Sequence, residues 1–486
     1  MKNSIVSLLA ALSLPSLAGS PPNVVVFLVD DLGYMDIGAN NPDCFYETPH
    51  IDALAEAGMR FTDGYASCSV CSPSRVSLLT GKYPSRVGTT HLFPGNRKRE
   101  PKSGAYLPAP FVDELPREEV TLAEALKTKG YHTFFAGKWH LGYGPNFRPQ
   151  KQGFDVNIGG WDKGGPYTGK RYFAPFNNPE IKVESPAGEH LPTRLARETS
   201  SFISAHKDEP FLAYLSFYSV HTPLMGRSDL KKKYQQKAQA LGLQASPQDF
   251  GKLEGASDKE HKLRVNQNHT TYAAMVEAMD LAVGSVIETI KNEGLWENTI
   301  IVFTSDNGGL ATSEGWPTSN KPLNGGKGWL YEGGIREPWI IRYPHVTESG
   351  SVSQELISGI DLYPTVATAA GYDVEADRDG IDLRPILAGE PSSRDALYWH
   401  FPHYSNQGGI PSGAIREGDY KLIENYEDGS VALYNLKEDI GESVDLSSSL
   451  PEKASAMRQK LHQFYQKHDA KFLQTKSADK QAWSPY

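Results

Sequence analysis

Residues 71–81 read Cys71-Ser72-Pro73-Ser74-Arg75-Val76-Ser77-Leu78-Leu79-Thr80-Gly81. Pro73 predicts the first turn of a helix, because proline presets φ and its missing N–H is not needed there. Cys71 would lie just before the N-terminus of that helix, where positive partial charge favours an anion. Arg75, one turn later, adds a fixed positive charge on the same side. The stretch predicts a cysteine placed to handle an anion; the alternative is a buried structural cysteine, the commoner role for a lone Cys.

Two adjacent carboxylates follow the first strand that the sequence predicts. Residues 23–29 form a near-continuous apolar run, which is typical of a strand buried on both faces of a parallel sheet. Asp30 and Asp31 come directly after it, at the end of the strand where open α/β sheets bind their ligands. Like charges this close are costly unless a cation lies between them. We expect metal ligands here; a helix cap beside a solvated acid is the alternative.

Polar side chains also follow three further predicted strands, at residues 131–136, 211–217 and 298–304. They are Lys138 and His140, then His221, then Asp306 with Asn307. Lys138 and His140 point the same way if the strand continues. Lysine offers a compact positive charge to an anion, and histidine exchanges a proton near neutral pH. An ordinary strand end is the alternative for both residues.

Several of these stretches match one known family. The Cys-x-Pro-x-Arg pentad with its Leu-x-Thr-Gly tail resembles the signature of the type I, formylglycine-dependent sulfatases. Residues 137–142, Gly-Lys-Trp-His-Leu-Gly, look like the second signature of that family. The resemblance runs from about residue 23 to about residue 446 and is strongest to bacterial polysaccharide sulfatases of the arylsulfatase type. Family members often have Arg where Asn324 stands and Val where Glu337 stands, and neither departure touches Lys327.

The resemblance implies a fold and a reaction. The fold would be of the α/β class, an alkaline-phosphatase-like α/β/α sandwich with a smaller C-terminal α+β domain. The function would be removal of sulfate from a sulfated carbohydrate, such as a carrageenan, ulvan or glycosaminoglycan fragment. A formylglycine-generating maturation enzyme would oxidise Cys71 to formylglycine (3-oxoalanine). One hydroxyl of the hydrated aldehyde would then attack sulfur and give a covalent sulfo-enzyme.

The resemblance also implies roles for individual side chains. The implied metal ligands are Asp30, Asp31, Cys71, Asp306 and Asn307. The implied catalytic residues are Cys71, Arg75, Lys138, His140, His221, Asp306 and Lys327. Oxygen donors suit a hard divalent cation, so Ca²⁺ is expected and Mg²⁺ is the second choice. His221 would protonate the leaving alcohol, and His140 would take the proton of the second hydroxyl so that sulfate is released.

Substrate contacts are predicted from the aromatic and basic stretches. The candidates are His91, Trp161, Asp162, His400 and His403. Residues 398–404 are unusually aromatic and His-rich, so they hold substrate or pack as a loop on the main domain. Trp161 would stack on a sugar ring or pack in the core. The basic cluster at residues 97–102 would line the cleft or form a solvated loop.

Length and charge limit the classes of protein that fit. The chain has 486 residues, of which 39% are hydrophobic and 22% charged, as in a globular protein. Its net charge of −9 argues against a general nucleic-acid binder, so an anionic substrate must be met by a local basic pocket. We expect a signal peptide at residues 1–18, a catalytic domain at 19–378, and a C-terminal subdomain at 379–486 with a small antiparallel sheet and a terminal helix. The protein would be exported, periplasmic or secreted, without a membrane span.

The chain has three cysteines: Cys44, Cys68 and Cys71. If Cys71 becomes formylglycine, Cys44 and Cys68 are left as an even pair. In an exported protein this pair predicts a disulfide that fixes the segment before the nucleophile. Two free buried thiols are the alternative.

Other functions on the same fold also remain open at this stage. One alternative is an arylsulfatase that acts on small esters, or a phosphomonoesterase or phosphonate hydrolase. A different class is a non-catalytic glycan-binding relative, in which Cys71 would stay unmodified; the intact pentad argues against it.

Overall fold

The computed structural model describes residues 21–93, 106–182, 185–253, 261–476 and 482–485. The predicted signal peptide at 1–18 and the basic cluster at 97–102 lie outside these residues. The strands are β1 (Asn23–Val29), β2 (Met59–Phe61), β3 (Gly64–Tyr65), β4 (Tyr106–Leu107), β5 (His132–Gly137), β6 (Val156–Ile158), β7 (Phe211–Ser216), β8 (Phe250–Lys252), β9 (Lys262–Arg264), β10 (Thr299–Ser305), β11 (Trp339–Arg342), β12 (Ser351–Ser353), β13 (Ile357–Ser358), β14 (Ala396–Phe401), β15 (Ser412–Glu417), β16 (Tyr420–Asn425), β17 (Val431–Asn435) and β18 (Gln474–Thr475). The helices are α1 (Pro49–Ala57), α2 (Cys71–Thr80), α3 (Pro84–Val87), α4 (Leu122–Lys127), α5 (Leu191–Ala205), α6 (Ser228–Ala240), α7 (Thr270–Asn292), α8 (Glu332–Ile335), α9 (Leu362–Ala369), α10 (Arg384–Leu387) and α11 (Pro451–Lys467).

Eight strands form the central sheet, in the order β12-β2-β11-β10-β1-β7-β5-β6. The five strands from β10 to β6 are all parallel, and β11 runs antiparallel to β10. The carboxyl ends of β10, β1, β7 and β5 therefore meet at one edge of the sheet, where open α/β folds bind their ligands.

Helices cover both faces of this sheet because its central strands are apolar on both sides. In β1, Val25 and Phe27 pack with α1, α5, α6 and α7, whereas Val24 and Val26 pack with α2, α4, α9 and α10. This alternation follows from the two-residue period of a strand. The arrangement confirms the predicted α/β/α sandwich.

A second, antiparallel sheet lies in the C-terminal part of the chain, with strand order β14-β15-β16-β17. Helix α11 packs on it through Met457, Leu461 and Phe464. The predicted small sheet and terminal helix are therefore present, whereas α10 still packs in the core of the first unit through Ile386 and Leu387. The predicted boundary at residue 379 stays a prediction. None of the helices in the described ranges has the length and apolar character needed to cross a bilayer.

The predicted disulfide between Cys44 and Cys68 does not form in the structure. Within the described ranges all three cysteines are free thiols. Cys68 is buried in a cluster with Tyr65 and Trp399, whereas Cys44 packs against the core on the α7 side of the sheet. The disulfide prediction fails because an even number of thiols says nothing about whether their Cβ atoms meet.

Buried ion pairs join the C-terminal sheet to the part of the chain that carries the central sheet. On β16, Lys421 Nζ lies 2.9 Å from Glu332 Oε1 on α8 and 2.8 Å from Glu442 Oε1. Arg336 Nε also contacts Glu332 Oε2, at 2.6 Å. Since α8 follows the loop that carries Lys327, these pairs also fix that loop.

We predict that Lys421→Met lowers the free energy of unfolding by about 3 kcal/mol, because two buried carboxylates lose their shared cation. The measurement is urea denaturation followed by circular dichroism. Lys437→Met is the matched control, since Lys437 is exposed. Equal unfolding midpoints for the two variants would show that the buried pairs do not hold the C-terminal sheet in place.

Candidate active site

The predicted catalytic and metal-binding side chains meet at the carboxyl edge of the sheet. Asp30 and Asp31 follow β1, Asp306 follows β10, and Cys71 is the first residue of α2, one position inside the helix rather than before it. Potential ligand atoms of these four residues all lie within 4.8 Å of one another. Cys71 Sγ lies 3.7 Å from Asp30 Oδ1. The parallel strands and the start of α2 therefore bring three carboxylates to one thiol.

Three cations neutralise these carboxylates. Lys138 Nζ, from the end of β5, lies 2.7 Å from both oxygens of Asp30. Lys327 Nζ lies 2.7 Å from Asp31 Oδ1, and Arg75 Nε donates to Asp306 Oδ2 at 2.8 Å. The exposed fraction of each of these six side chains is 3% or less. Three buried negative charges thus face three buried positive charges.

Arg75 also fixes the strands that surround it. Its Nη1 donates to the Lys138 carbonyl at 2.9 Å and to Ser216 Oγ at 2.6 Å. The planar guanidinium therefore binds the ends of β5, β7 and β10 at once, which lysine could not do. Burial lowers the pKa of Arg75, but Asp306 and Asp30 outweigh burial and raise that pKa above its usual value, so the guanidinium stays charged.

Burial and neighbouring charges change the proton affinity of the cluster. Burial raises the pKa of Asp31, but Lys327 and then His221 outweigh it and bring the value to about 2. For Asp30 burial dominates and raises the pKa well above its usual range despite Lys138. Repulsion from the other two carboxylates adds to this rise. A further positive charge between the three carboxylates would therefore stabilise their ionised forms.

The Cys71 thiol is a poor nucleophile in its encoded form. Burial raises its pKa far above the usual range, although Lys138 and Lys327 act in the opposite direction. A thiol needs its thiolate form to attack. This environment suits a group at residue 71 other than the thiol.

The donor set fits a hard divalent cation. The carboxylates of Asp30, Asp31 and Asp306 supply oxygen atoms. The Asn307 amide donates through Nδ2 to Asp31 at 2.7 Å, and its buried Oδ1 has no hydrogen-bond partner among the described residues. An orphaned buried oxygen beside three carboxylates matches the all-oxygen coordination of Ca²⁺ or Mg²⁺.

His140 is held with one nitrogen free for a proton. Its Nε2 donates to the Phe93 carbonyl, whereas its buried Nδ1 has no hydrogen-bond partner among the described residues. Burial, then Lys138 and Arg75, lower the pKa of His140 well below its usual range. A Cβ added at Gly164 would lie 2.6 Å from His140 Cε1, so the lack of a side chain at Gly164 leaves room for the His140 ring. Nδ1 is therefore an unprotonated acceptor.

His221 faces the cluster with its other ring nitrogen. Its Nδ1 donates to the Thr222 carbonyl at 2.7 Å, and its Nε2 lies 3.7 Å from Asp31 Oδ2. Burial and Lys327 lower the pKa of His221 to about 4, although Asp31 opposes this. With Nδ1 fixed as a donor, Nε2 is the atom that can hold or release a proton at the site.

Sequence reasoning missed several residues that position the site. Ser72 Oγ donates to the His140 carbonyl at 3.0 Å and accepts from the Phe93 amide at 3.0 Å, so it fixes the backbone of His140 and that of Phe93, whose carbonyl binds the ring. Tyr167 OH lies 3.4 Å from His221 Nδ1, and its side chain is about half exposed. Ser72 stood at a variable position of the pentad, and Tyr167 lay in no recognised pattern.

Glu314 is a further residue that the sequence did not single out. Its Oε1 accepts from Asn406 Nδ2 at 2.8 Å and from Gln407 Nε2 at 2.6 Å. Burial lowers the pKa of Lys327, but Asp31 and, more weakly, Glu314 raise it well above its usual range. Glu314 therefore favours the charged form of Lys327, and its carboxylate is held by the loop after β14.

The predicted substrate-binding residues of the C-terminal region, His400 and His403, contact other groups of the protein. The ring nitrogens of His400 contact Tyr426 OH at 2.8 Å and the Lys471 carbonyl at 2.9 Å. His403 is fully buried and its Nε2 contacts Thr90 Oγ1 at 2.9 Å. Both rings therefore have partners within the protein, and their contact with substrate stays a prediction.

The other three candidates also have contacts within the protein. His91 stacks on His403, with ring centroids 4.4 Å apart. Trp161 is buried in the core, and the Asp162 carboxylate binds Arg148 and the Gly144 amide. Each of these three side chains therefore has a structural role, and its contact with a sugar stays a prediction.

We predict that Asn307→Leu weakens Ca²⁺ binding at least tenfold, because the orphaned amide oxygen is removed. Asn307→Asp is the matched control, since it keeps an oxygen at that position and should retain the ion. Calorimetric titration of the two variants measures both affinities. Unchanged affinity in the Leu variant would exclude Asn307 as a ligand.

Comparison with known proteins agrees with this geometry. The family described as Sulfatase matches residues 22–372, and the family described as N-sulphoglucosamine sulphohydrolase, C-terminal, matches residues 326–471. Human arylsulfatase A is 31% identical over 93% of this chain and 89% of its own length. Mouse N-acetylgalactosamine-6-sulfatase is 34% identical over 79% of this chain and 69% of its own length.

A solved structure shows the same similarity in three dimensions. The crystal structure of Ps i-CgsB in complex with k-i-k-neocarrahexaose has a TM-score of 0.73 and 28% identity, covering 92% of this chain and 93% of that chain. The chain therefore belongs to the sulfatase family and is a sulfuric ester hydrolase.

Proposed function

We propose that this protein removes sulfate from a sulfated carbohydrate, with residue 71 as the nucleophile after its conversion to formylglycine. The observation that supports this most is the position of Cys71 Sγ, 3.7 Å from Asp30 and within 4.8 Å of ligand atoms of all three buried aspartates. The raised pKa of the thiol adds support, because the unmodified side chain is unsuited to attack. A plain Cys or Ser also lacks the second hydroxyl from which sulfate is released.

The carbohydrate is favoured by relatives and by the surroundings of the cluster. N-acetylgalactosamine-6-sulfatase and Ps i-CgsB bound to a neocarrahexaose are both similar to this chain. Glu314, with Asn406 and Gln407, offers hydrogen-bonding groups that suit sugar hydroxyls. The exposed side of Tyr167 offers a face for a sugar ring.

The proposed metal is Ca²⁺, with Mg²⁺ second, held by Asp30, Asp31, Asp306, Asn307 and an oxygen on residue 71. When bound, the cation supplies a Lewis acid that stabilises negative charge on the sulfuryl group and the nucleophile. Lys138 and Lys327 add fixed positive charge at the same place, in a site without water screening.

The protein's own residues account for the proton transfers. Arg75 orients the Asp306 carboxylate, which accepts the proton of the attacking hydroxyl on residue 71. As the new oxygen–sulfur bond forms, the bond from sulfur to the sugar oxygen breaks, and that oxygen takes a proton from His221 Nε2. His221 carries this proton because the negative charge of the bound sulfate ester raises the low pKa of its ring. His140 Nδ1 then takes the proton of the second hydroxyl, the bond from residue 71 to the sulfate oxygen breaks, and the aldehyde reforms.

Maturation and location belong to the same proposal. A formylglycine-generating enzyme would act on residues 71–75, and the leader at 1–18 would direct the chain to the periplasm or outside the cell. Cys44 and Cys68 are free thiols in the structure, so the proposed location rests on the leader alone.

We predict that Cys71→Ala lowers turnover of a sulfated oligosaccharide by at least about a thousandfold, because the nucleophile is lost. Cys68→Ala is the matched control: Cys68 is also a buried cysteine, three positions upstream. The assay compares both variants with the matured protein on sulfate and phosphate esters of one alcohol. Full turnover by Cys71→Ala, or preference for the phosphate ester, would overturn the proposed function.

A separate prediction concerns the proton donor. His221→Ala should reduce turnover of sugar sulfates about a hundredfold more than turnover of an activated aryl sulfate, since a phenolate of low basicity leaves without a proton. Steady-state kinetics on the two substrates gives the ratio. Equal losses on both would remove His221 from the role of acid.

A further inference from the structure

A second group of side chains with metal-ligand chemistry lies at the opposite end of the central sheet. His132 is the first residue of β5, and His206 caps the C-terminus of α5. Glu209 follows in the turn that leads to β7. Strand β5 ends beside Lys138 in the active site. At the usual rise of a strand, His132 at the start of β5 lies roughly 20 Å from that site. The group is therefore separate from the carboxylates around Cys71.

The ligand atoms of the three side chains lie close together. His132 Nε2 lies 2.8 Å from Glu209 Oε2, and His206 Nδ1 lies 3.7 Å from the same oxygen. One ligand atom from each residue can be chosen so that all lie within 4.8 Å of one another. Two donors bound to one tetrahedral zinc ion are about 3.4 Å apart. The two separations lie on either side of that value, and the atoms can bind one ion once the stacked rings of His132 and His206 turn their nitrogens toward it.

A second observation points to a ligand at this place. His206 Nδ1 is a buried atom with no hydrogen-bond partner among the described residues. Its ring is confined by stacking on His132, with centroids 4.4 Å apart, and by Phe202, at 4.5 Å. An imidazole nitrogen held in this way without a partner is available to bind an ion.

The backbone holds the three donors in place without an ion. The His132 amide donates to the Pro210 carbonyl at 3.0 Å, the His206 amide to the Phe202 carbonyl at 3.1 Å, and the Glu209 amide to the His206 carbonyl at 3.1 Å. The site would therefore need little ordering of the chain when an ion binds. The side chains are partly exposed, at 40% for His132 and 27% for His206, so solvent can deliver the ion and complete its coordination.

The donor type decides which ion fits. Two imidazoles and one carboxylate suit Zn²⁺ and similar transition metals, whereas Ca²⁺ and Mg²⁺ require oxygen donors. We propose that His132, His206 and Glu209 form a zinc site that joins the C-terminus of α5 to the start of β5. The ion stabilises this junction and takes no part in sulfate hydrolysis.

The test is calorimetric titration of ZnCl₂ into untagged protein kept in saturating Ca²⁺, so that the catalytic carboxylates are occupied. We expect one equivalent of Zn²⁺ in the wild type, with at least tenfold weaker binding in His132→Ala and in His206→Ala. Zn²⁺ should also raise the melting temperature of the wild type and not of these variants. The control is His462→Ala, because His462 contacts the Glu424 carboxylate at 2.9 Å but belongs to no cluster of three potential ligands in the described ranges.

Three results would overturn the proposal: no Zn²⁺ bound by the wild type, equal affinity in all variants, or loss of the affinity in His462→Ala alone. Circular dichroism in EDTA shows whether each variant is folded. If an alanine variant does not fold, His206→Gln provides the same comparison with a polar side chain. Co²⁺ titration gives an independent readout, since ligation by His132 and His206 produces visible absorption that the variants should lack.

Discussion

The balance of buried charge around Cys71 is the constraint on which the rest of the structure depends. Asp30, Asp31 and Asp306 are taken out of water, and each is paired with a buried cation. Removing one partner from such a set leaves an uncompensated charge, which is far more costly than the pair itself is stabilising. The order of the parallel strands, the start of α2 and the loop that carries Lys327 therefore have to be kept together, and the ion pairs of Lys421 hold that loop from the C-terminal side.

The same balance explains how an acidic protein can bind an anionic substrate. Three carboxylates against Arg75, Lys138 and Lys327 leave the cluster neutral. A divalent cation among the aspartates would make it positive by two charges, in a buried site where electrostatic interactions are strong. The overall charge of −9 is then no obstacle, because the local charge meets the sulfate. The cation thus has an electrostatic reason to be present that is independent of family resemblance.

Much of this site could be predicted because its residues directly follow strands in the sequence. The carboxyl ends of parallel strands lie at one edge of the sheet, so such residues are close in space. Asp30, Lys138 and Asp306 each follow an apolar run, and parallel strands bring those ends together. The contacts between side chains could not be predicted in the same way: Arg75 with Ser216, or Ser72 with the His140 carbonyl, depend on packing across long sequence separations. The sequence also did not predict the positive φ angles of Asp31 and His140. The count of cysteines predicted a disulfide that does not form, because only geometry decides whether two thiols meet. The packing of His400 against Tyr465 likewise depends on tertiary structure.

The most direct test of the charge balance is the affinity of Cys71→Ala for inorganic sulfate, measured by calorimetry with saturating Ca²⁺ and again after removal of the metal with EDTA. This variant lacks the proposed nucleophile, so the measurement reports the electrostatics of the cluster. We expect sulfate to bind in Ca²⁺ and to bind at least tenfold more weakly after the metal is removed. Equal affinity in the two conditions would contradict the claim that a cation among the three aspartates makes this site a receptor for sulfate.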